Sequence, residues 1–362
     1  MGKRVKRIFE NISDDIDILV LINHIDPLLD QSFFYVTGCA SGLFESCVAF
    51  LYPDGRCEVL VSELEETSAR SGDCPITVFS SREEYRDEIR SRLKGIKNIG
   101  INNEELIYSK LLLLKELAPE AEFSDCSQAV TSARMIKDSE EVRRIQKACD
   151  IASRTAEKIP EWLEEGIREN EVAAEMEYFM AKSGSSSPSF ETISSFGKNS
   201  AEPHYTAGQS VLGQDMFALF DFGATYMRYI SDLTRTFFFG TPSQKDKDMY
   251  ETVRRAQQIG FDSIEAGRPL SEPHINVADY INSTKFEGRF IHSLGHSIGL
   301  SVHEPVRFSP LQEGVMEPGM VITVEPGVYL PGYGGVRIED DVLIKKDGIK
   351  ILTSAPRELM CI

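Results

Sequence analysis

Apolar residues in the first part of the chain come in short runs, separated by polar stretches with helical spacing. Arg4–Asn11 predicts a short helix and Ile16–Leu21 a strand. Phe33-Phe-Tyr-Val-Thr, closed by Gly38, predicts another strand from its aromatic and β-branched content. Cys47–Tyr52 and Cys57–Val61 flank Pro53-Asp-Gly, a turn signal, and predict a hairpin. Glu83–Leu93 and Glu104–Leu117 predict helices around a strand at Asn98–Ile101. These elements make an α/β domain over residues 1–131, with a second domain over 132–362.

The second domain opens on helices. Asp138 or Ser139 caps the first, with acids in its first turn and a stripe of Val142, Ile145, Cys149, Ala152 and Ala156. Asn170–Lys182 is the second, and the breaker-rich loop Gly184-Ser-Ser-Ser-Pro-Ser follows. The pattern then turns to β. Phe190–Phe196 is strand-like, and Met216–Phe222 is apolar almost throughout, as a strand buried on both faces would be. Asp221 interrupts that run, and a buried carboxylate calls for a metal or an arginine. Tyr229–Phe239 predicts a strand carrying Asp232, with Gly223-Ala-Thr as the turn between the two. Ser243–Ala266 and His274–Phe286 predict helices. Met320–Tyr329 and Gly335–Ile344 predict a last hairpin, with Glu325 on one strand and Glu339 on the other.

Asp221, Asp232, His296, Glu325 and Glu339 are the residues with chemistry to offer. They lie in Leu219-Phe-Asp-Phe-Gly, Ser231-Asp-Leu-Thr-Arg-Thr-Phe, Gly295-His-Ser-Ile-Gly-Leu, Val324-Glu-Pro-Gly-Val and Gly335-Val-Arg-Ile-Glu-Asp. A lone structural zinc would be closed by Cys or His. Four carboxylates and one imidazole suit two divalent cations, Mn²⁺ above all, with Co²⁺, Zn²⁺ or Fe²⁺ as alternatives. His292-Ser-Leu-Gly-His is not the zinc-peptidase helix, because the glutamate is missing and Gly295 and Gly299 oppose a helix.

The net charge of −18 opposes an electrostatic grip on nucleic acid. No apolar run approaches the ~20 residues that span a bilayer, so no membrane role is expected. The seven cysteines are odd in number and contain no Cys-x-x-Cys pair. Reduced thiols in a cytoplasmic protein are the simple expectation.

The five stretches, in this order and at these spacings, resemble those of the pita-bread metallopeptidases, specifically the proline-specific branch of Xaa-Pro dipeptidases (prolidases) and Xaa-Pro aminopeptidases. The first part of the chain is similar to that branch's N-terminal domain. The resemblance implies an α/β (α+β) chain: a creatinase-like N-terminal domain, then a pita-bread catalytic domain with a curved, mostly antiparallel sheet. It implies that Asp221, Asp232, His296, Glu325 and Glu339 hold two ions, with Asp232 and Glu339 bridging. The expected reaction is hydrolysis of Xaa-Pro dipeptides by a metal-bridging hydroxide, with Glu325 as proton shuttle. His303 would stabilise the oxyanion, His204 would meet the prolyl end of the substrate and His292 would line the pocket. Tyr329 is expected on the pocket wall, and Arg337 behind a ligand such as Asp221. Arg307 stands where prolidases carry an arginine that grips the carboxylate after proline. An aminopeptidase acting on longer peptides does not need that clamp; it is the alternative activity, and a catalytically dead binding protein is the alternative class. A homodimer is also implied. One departure stands out. Ser297 follows His296 where the family usually has glycine, and would be strained if φ there were positive.

Overall fold

In the computed structural model, which describes residues 2–362, the apolar runs of the first part become one six-stranded sheet. Its strands are β1 (Ile18–Ile22), β2 (Val48–Leu51), β3 (Cys57–Ser62), β4 (Ile76–Phe79), β5 (Asn98–Ile101) and β6 (Glu122–Asp125), in the order β4-β3-β2-β1-β5-β6. The β2–β3 hairpin is antiparallel, β1 pairs antiparallel with β2, and β1–β5, β5–β6 and β3–β4 are parallel. All strands but β2 therefore run the same way. The helices of this part are α1 (Gly2–Glu10), α2 (Gln31–Thr37), α3 (Glu66–Ala69), α4 (Arg82–Leu93), α5 (Tyr108–Leu117) and α6 (Ser127–Met135).

The α2 segment corrects the strand expected at Phe33–Thr37. The Asp30 side chain accepts from Ser32 N–H, and Gly38 closes the helix at φ 73° while donating to Phe34 O. Phe33, Phe34, Tyr35 and Val36 are all buried. Capping and tertiary burial override the β propensity of the side chains.

The chain divides into two compact units, one ending at Arg134 and the other spanning Met135–Ile362. The second unit begins with α7 (Ser139–Trp162) and α8 (Glu169–Lys182). Asp138 caps α7, accepting from Glu140 and Glu141 N–H at 3.0 and 2.9 Å, and Glu141 returns the bond to Asp138 N–H. Strands β7 (Ile193–Phe196), β8 (Met216–Phe222), β9 (Thr225–Tyr226), β10 (Tyr229–Ile230) and β11 (Leu233–Phe239) follow, then α9 (Gln244–Asp262) and α10 (Glu272–Asn282). The last strands are β12 (Gly295–Ser297), β13 (Glu304–Phe308), β14 (Val321–Val324), β15 (Gly327–Leu330), β16 (Gly334–Arg337), β17 (Asp340–Lys345) and β18 (Gly348–Ile351). They form antiparallel sheets of order β11-β8-β7 and β13-β12-β14-β17-β18, with the ribbons β9–β10 and β15–β16. This is the mixed architecture, mostly antiparallel in its second unit, that the resemblance implies.

Three details differ from expectation. The turn after β8 falls at Met227–Arg228, both at positive φ, because the chain continues past Gly223 into β9. The expected strand 229–239 is broken at Ser231–Asp232. The expected last hairpin is two ribbons, β14–β17 and β15–β16, interrupted at Glu325-Pro326 and Ile338-Glu339. Proline at 326 has no N–H for a ladder, which is one reason for the break.

Candidate metal centre

The breaks in the strands are where the donors sit. Asp232 lies between β10 and β11, Glu325 between β14 and β15, and Glu339 between β16 and β17. Asp221 is within β8, opposite Thr234. His296 is in β12 at a register shift between His296 and Ser297. At each break the backbone is held from elsewhere: Asp232 N–H donates to Asp341 Oδ2 (2.9 Å), Glu325 N–H to Leu294 O (2.8 Å) and Glu339 N–H to Thr234 O (3.1 Å). Close strand approach also matters at Gly295, where a Cβ would come 1.9 Å from Thr323 O. Ser297 is not at positive φ. It pairs with Ile322 in the sheet, so the strain that its neighbouring position raised does not arise.

All five side chains line one cleft of about 500 Å³. Donor atoms of Asp232, His296 and Glu339 lie within 4.8 Å of one another. His296 Nε2 is 3.6 Å from Asp232 Oδ2 and 3.7 Å from Glu325 Oε1. These acids crowd each other in a buried space. Burial, then the charges of Glu339 and Asp221, pushes Asp232 well above the carboxylate range. Burial, then Glu325 and Asp221, does the same to Glu339. Glu325 is pushed up to about 8 by burial, against the lowering pull of Arg337. His296 is held down to about 3 by burial and by His303, which leaves its imidazole neutral. Asp221 Oδ1 is buried with no hydrogen-bond partner. Repelling acids, a neutral imidazole and an orphaned carboxylate oxygen fit divalent cations, which would supply the missing positive charge.

Arg337, fully embedded here, is the cation the protein does provide. Nη2 donates to Asp221 Oδ2 at 2.6 Å, Nε to Thr234 Oγ1 at 3.1 Å and Nη1 to Tyr329 Oη at 2.8 Å. Burial opposes its charge, but Tyr329, Asp221, Glu325 and Glu339 outweigh that and keep it protonated. Tyr329, expected on the pocket wall, is instead buried behind Arg337 and His292, and does not line the cleft. Its hydroxyl meets His292 Nε2 at 2.9 Å, and His292 Nδ1 meets Ser293 O at 2.8 Å. The carbonyl assigns the proton to Nδ1, so Tyr329 donates to Nε2. Both nitrogens of His292 are thus engaged within the protein, although its ring lines the cleft. Burial and Arg337 hold it down to about 4, in the neutral form.

His204, His303 and Arg307 line the same cleft. The His303 ring lies 4.3 Å from that of His296, and burial followed by Arg307 lowers its pKa. Arg307 is exposed on β13 opposite His296, and among the described residues no carboxylate pairs with its guanidinium. The sequence does not single out three supports. Thr234 Oγ1 donates to Glu339 Oε2 at 2.6 Å; its place two residues after Asp232, at the start of β11, is the signal that could have found it. Asp341 accepts the Asp232 N–H. Glu169, at the start of α8, accepts from Phe196 N–H and Asn199 Nδ2 with one oxygen and from Tyr205 Oη with the other, at 2.8–2.9 Å. It thereby pins the loop that carries His204. Phe190, Ile193 and Val302 add an apolar wall.

Comparison with known proteins agrees with this geometry. Residues 143–346 match the model of metallopeptidase family M24, and residues 4–136 that of the creatinase/prolidase N-terminal domain. An Xaa-Pro dipeptidase of Pyrococcus horikoshii is 37% identical over 364 aligned positions, covering 99% of each chain. The structure of an Xaa-Pro dipeptidase from Bacillus anthracis matches with a TM-score of 0.91 at 34% identity, over 100% of this chain and 99% of that one. An X-Pro aminopeptidase from Thermotoga maritima matches with a TM-score of 0.90 at 29% identity, over 96% and 98%.

Proposed function

The chain belongs to metallopeptidase family M24, with a creatinase/prolidase N-terminal domain, and from that premise we propose that it hydrolyses Xaa-Pro dipeptides with two divalent cations and releases proline. Asp221, Asp232, His296, Glu325 and Glu339 would hold the ions. Once bound, the ions would polarise the scissile carbonyl and bring a water to ionise near neutral pH. Mn²⁺ suits the oxygen-rich donor set best.

The chain's own residues supply the rest. Glu325 accepts the proton of the attacking water and passes it to the prolyl nitrogen as the amide breaks. His303, neutral, donates to the carbonyl oxygen as charge develops there. His204 contacts the prolyl end, and His292, held by Tyr329 and Ser293, shapes the wall beside Glu325. Arg337 fixes Asp221 through its direct bond. Reduced thiols support a cytoplasmic setting, since all seven cysteines are free. The homodimer rests on the resemblance.

Arg307 carries the choice of a dipeptidase. An unpaired guanidinium on the rim of the cleft suits a free carboxylate directly after proline. The Xaa-Pro aminopeptidase reading has the similar Thermotoga maritima structure in its favour. Product analysis of Ala-Pro (alanine plus proline) and Ala-Pro-Ala (alanine plus Pro-Ala) after incubation with metal-stripped protein, with Mn²⁺, Co²⁺ or Zn²⁺ restored, separates the two. Cleavage of the dipeptide alone supports the proposal; cleavage of the tripeptide after alanine moves the chain to the aminopeptidases. No cleavage with any ion removes both.

A further inference from the structure

The N-terminal unit has a cavity of its own, of about 660 Å³. It lies where five parallel strands end. His24 follows β1, Ser80 follows β4, and Ser46 precedes the antiparallel β2 on the same edge of the sheet. In sheets of this kind, the crevice outside the carboxyl ends of the strands is where ligands bind.

The chemistry of the lining is unlike that of the surface as a whole. The protein carries −18, yet the cavity holds Arg82, Arg86 and Lys110 against one acid, Glu116, which pairs with Arg86. Arg82 and Lys110 have no carboxylate partner among the described residues. Lys110 Nζ donates to Ser46 Oγ at 3.1 Å, and burial lowers the pKa of its ammonium, the direction expected of a cation with no counter-ion. The first turn of α5 contributes Ser109 and Lys110; no side chain caps that end and no acid stands in its first turn, so its positive dipole end is uncompensated. Tyr85 closes the inner wall of the cavity with its ring, 5.7 Å from Lys110 Nζ, and leaves the ammonium free to meet an anion on its open side.

We propose that this cavity binds a small molecule bearing a phosphate group. Arg82, Lys110, the α5 first turn and the hydroxyls of Ser46 and Ser109 offer more donors, from more directions, than the two oxygens of a carboxylate take up; a phosphate accepts them all. The non-phosphate part of the ligand lies against Leu112 and Leu113, which make an apolar wall.

Calorimetric titration of the full chain, stripped of metal, with inorganic phosphate tests this. Saturable binding is expected, weaker by about tenfold in Arg82→Met and in Lys110→Met, the loss of one charge-assisted bond. Ser109→Glu, on an exposed turn, places a negative charge in the site and should abolish binding with the circular dichroism of the fold unchanged. Arg307→Met should bind phosphate as the parent does, and all three cavity variants should retain peptidase activity. Absence of saturable binding overturns the proposal, as does binding that survives Ser109→Glu or disappears with Arg307→Met.

Discussion

Glu339 and Asp340 are neighbours in sequence, both buried, and they face opposite surroundings. Asp340 looks toward Arg235, whose Nη2 donates to it at 2.7 Å; Thr353 Oγ1 and Gln257 Nε2 complete its shell at 2.7 and 3.0 Å. Arg235 also donates to the carbonyls of Thr234, Glu339, Ala355 and Pro356. Glu339 looks toward Asp232, Asp221 and Glu325, with Thr234 on one oxygen and Arg337 as the buried guanidinium among them. One region is a buried ion pair with its hydrogen bonds satisfied. The other is a set of like charges that the fold leaves short of cations. Alternation along one strand separates the two, since successive side chains point to opposite faces. Buried charge that has its partners holds the structure together; buried charge without them is kept for something that must come from outside.

The largest test of that contrast is Glu339→Gln. Activity on Ala-Pro, read as kcat/KM, should fall by roughly 10³-fold, as when a charge-stabilising group at a reaction centre is removed. The metal-free variant should be at least as stable in urea as the parent, because a repelling acid has gone. Normal activity would remove this cluster as the metal centre. Arg235→Met should do the reverse. It leaves buried Asp340 with only the more distant Arg357, 3.9 Å away, as counter-ion, at a cost of about 3 kcal/mol in urea unfolding, while the molecules that remain folded keep their metal affinity. An equal loss of stability from both variants would erase the distinction.

Arg307→Met should lower kcat/KM for Ala-Pro roughly 10- to 100-fold, chiefly through KM, with metal content unchanged. A pH series on the metal-free protein gives a smaller effect. Folding raises Glu325 from 4.5 to about 8 and Asp341 from 3.8 to about 7, both through burial first. The native state then binds more protons than the unfolded chain between those values. Stability from these groups is fullest near pH 4 and declines as pH rises toward 8. Thermal unfolding with and without Mn²⁺ reads this directly; the decline should be shallower with the ion bound. A metal-free protein whose stability climbs over that range would show that the acids are not mutually strained. Ser297→Gly should cost less than about 1 kcal/mol, because a strand position at ordinary φ only loses by becoming glycine. A gain in stability there would mean that Ser297 is strained after all.

Much of the candidate site was legible because its donors stand in short, distinctive contexts: an acid inside an apolar run, a histidine between glycines, an acid two residues past an arginine. The supports were not legible. Thr234, Asp341 and Glu169 are ordinary residues until strand pairing or a loop's return brings them to a ligand or to the backbone beside one. Tyr329 misled for the same reason: four residues past Glu325 suggests the pocket wall, but the break at Pro326 and the β15–β16 ribbon turn it behind Arg337. At Phe33–Thr37, side-chain composition favoured a strand, while a cap at each end and burial decided for a helix.

The sequence by itself determined which groups carry charge and donor atoms, the alternation and helical spacing that separate sheets from helices, and the order of the five donors along the chain. Those are local properties, written in side-chain chemistry and periodicity. Tertiary structure alone decided that three of the five donors sit at interrupted strands, that Tyr329 lies behind Arg337, and that Arg307 is left without a carboxylate partner. It also decided that Arg82 and Lys110, without carboxylate partners, gather at one edge of the N-terminal sheet. Each depends on residues far apart in sequence meeting in a space from which water is largely excluded, and there charge, geometry and partner count act together.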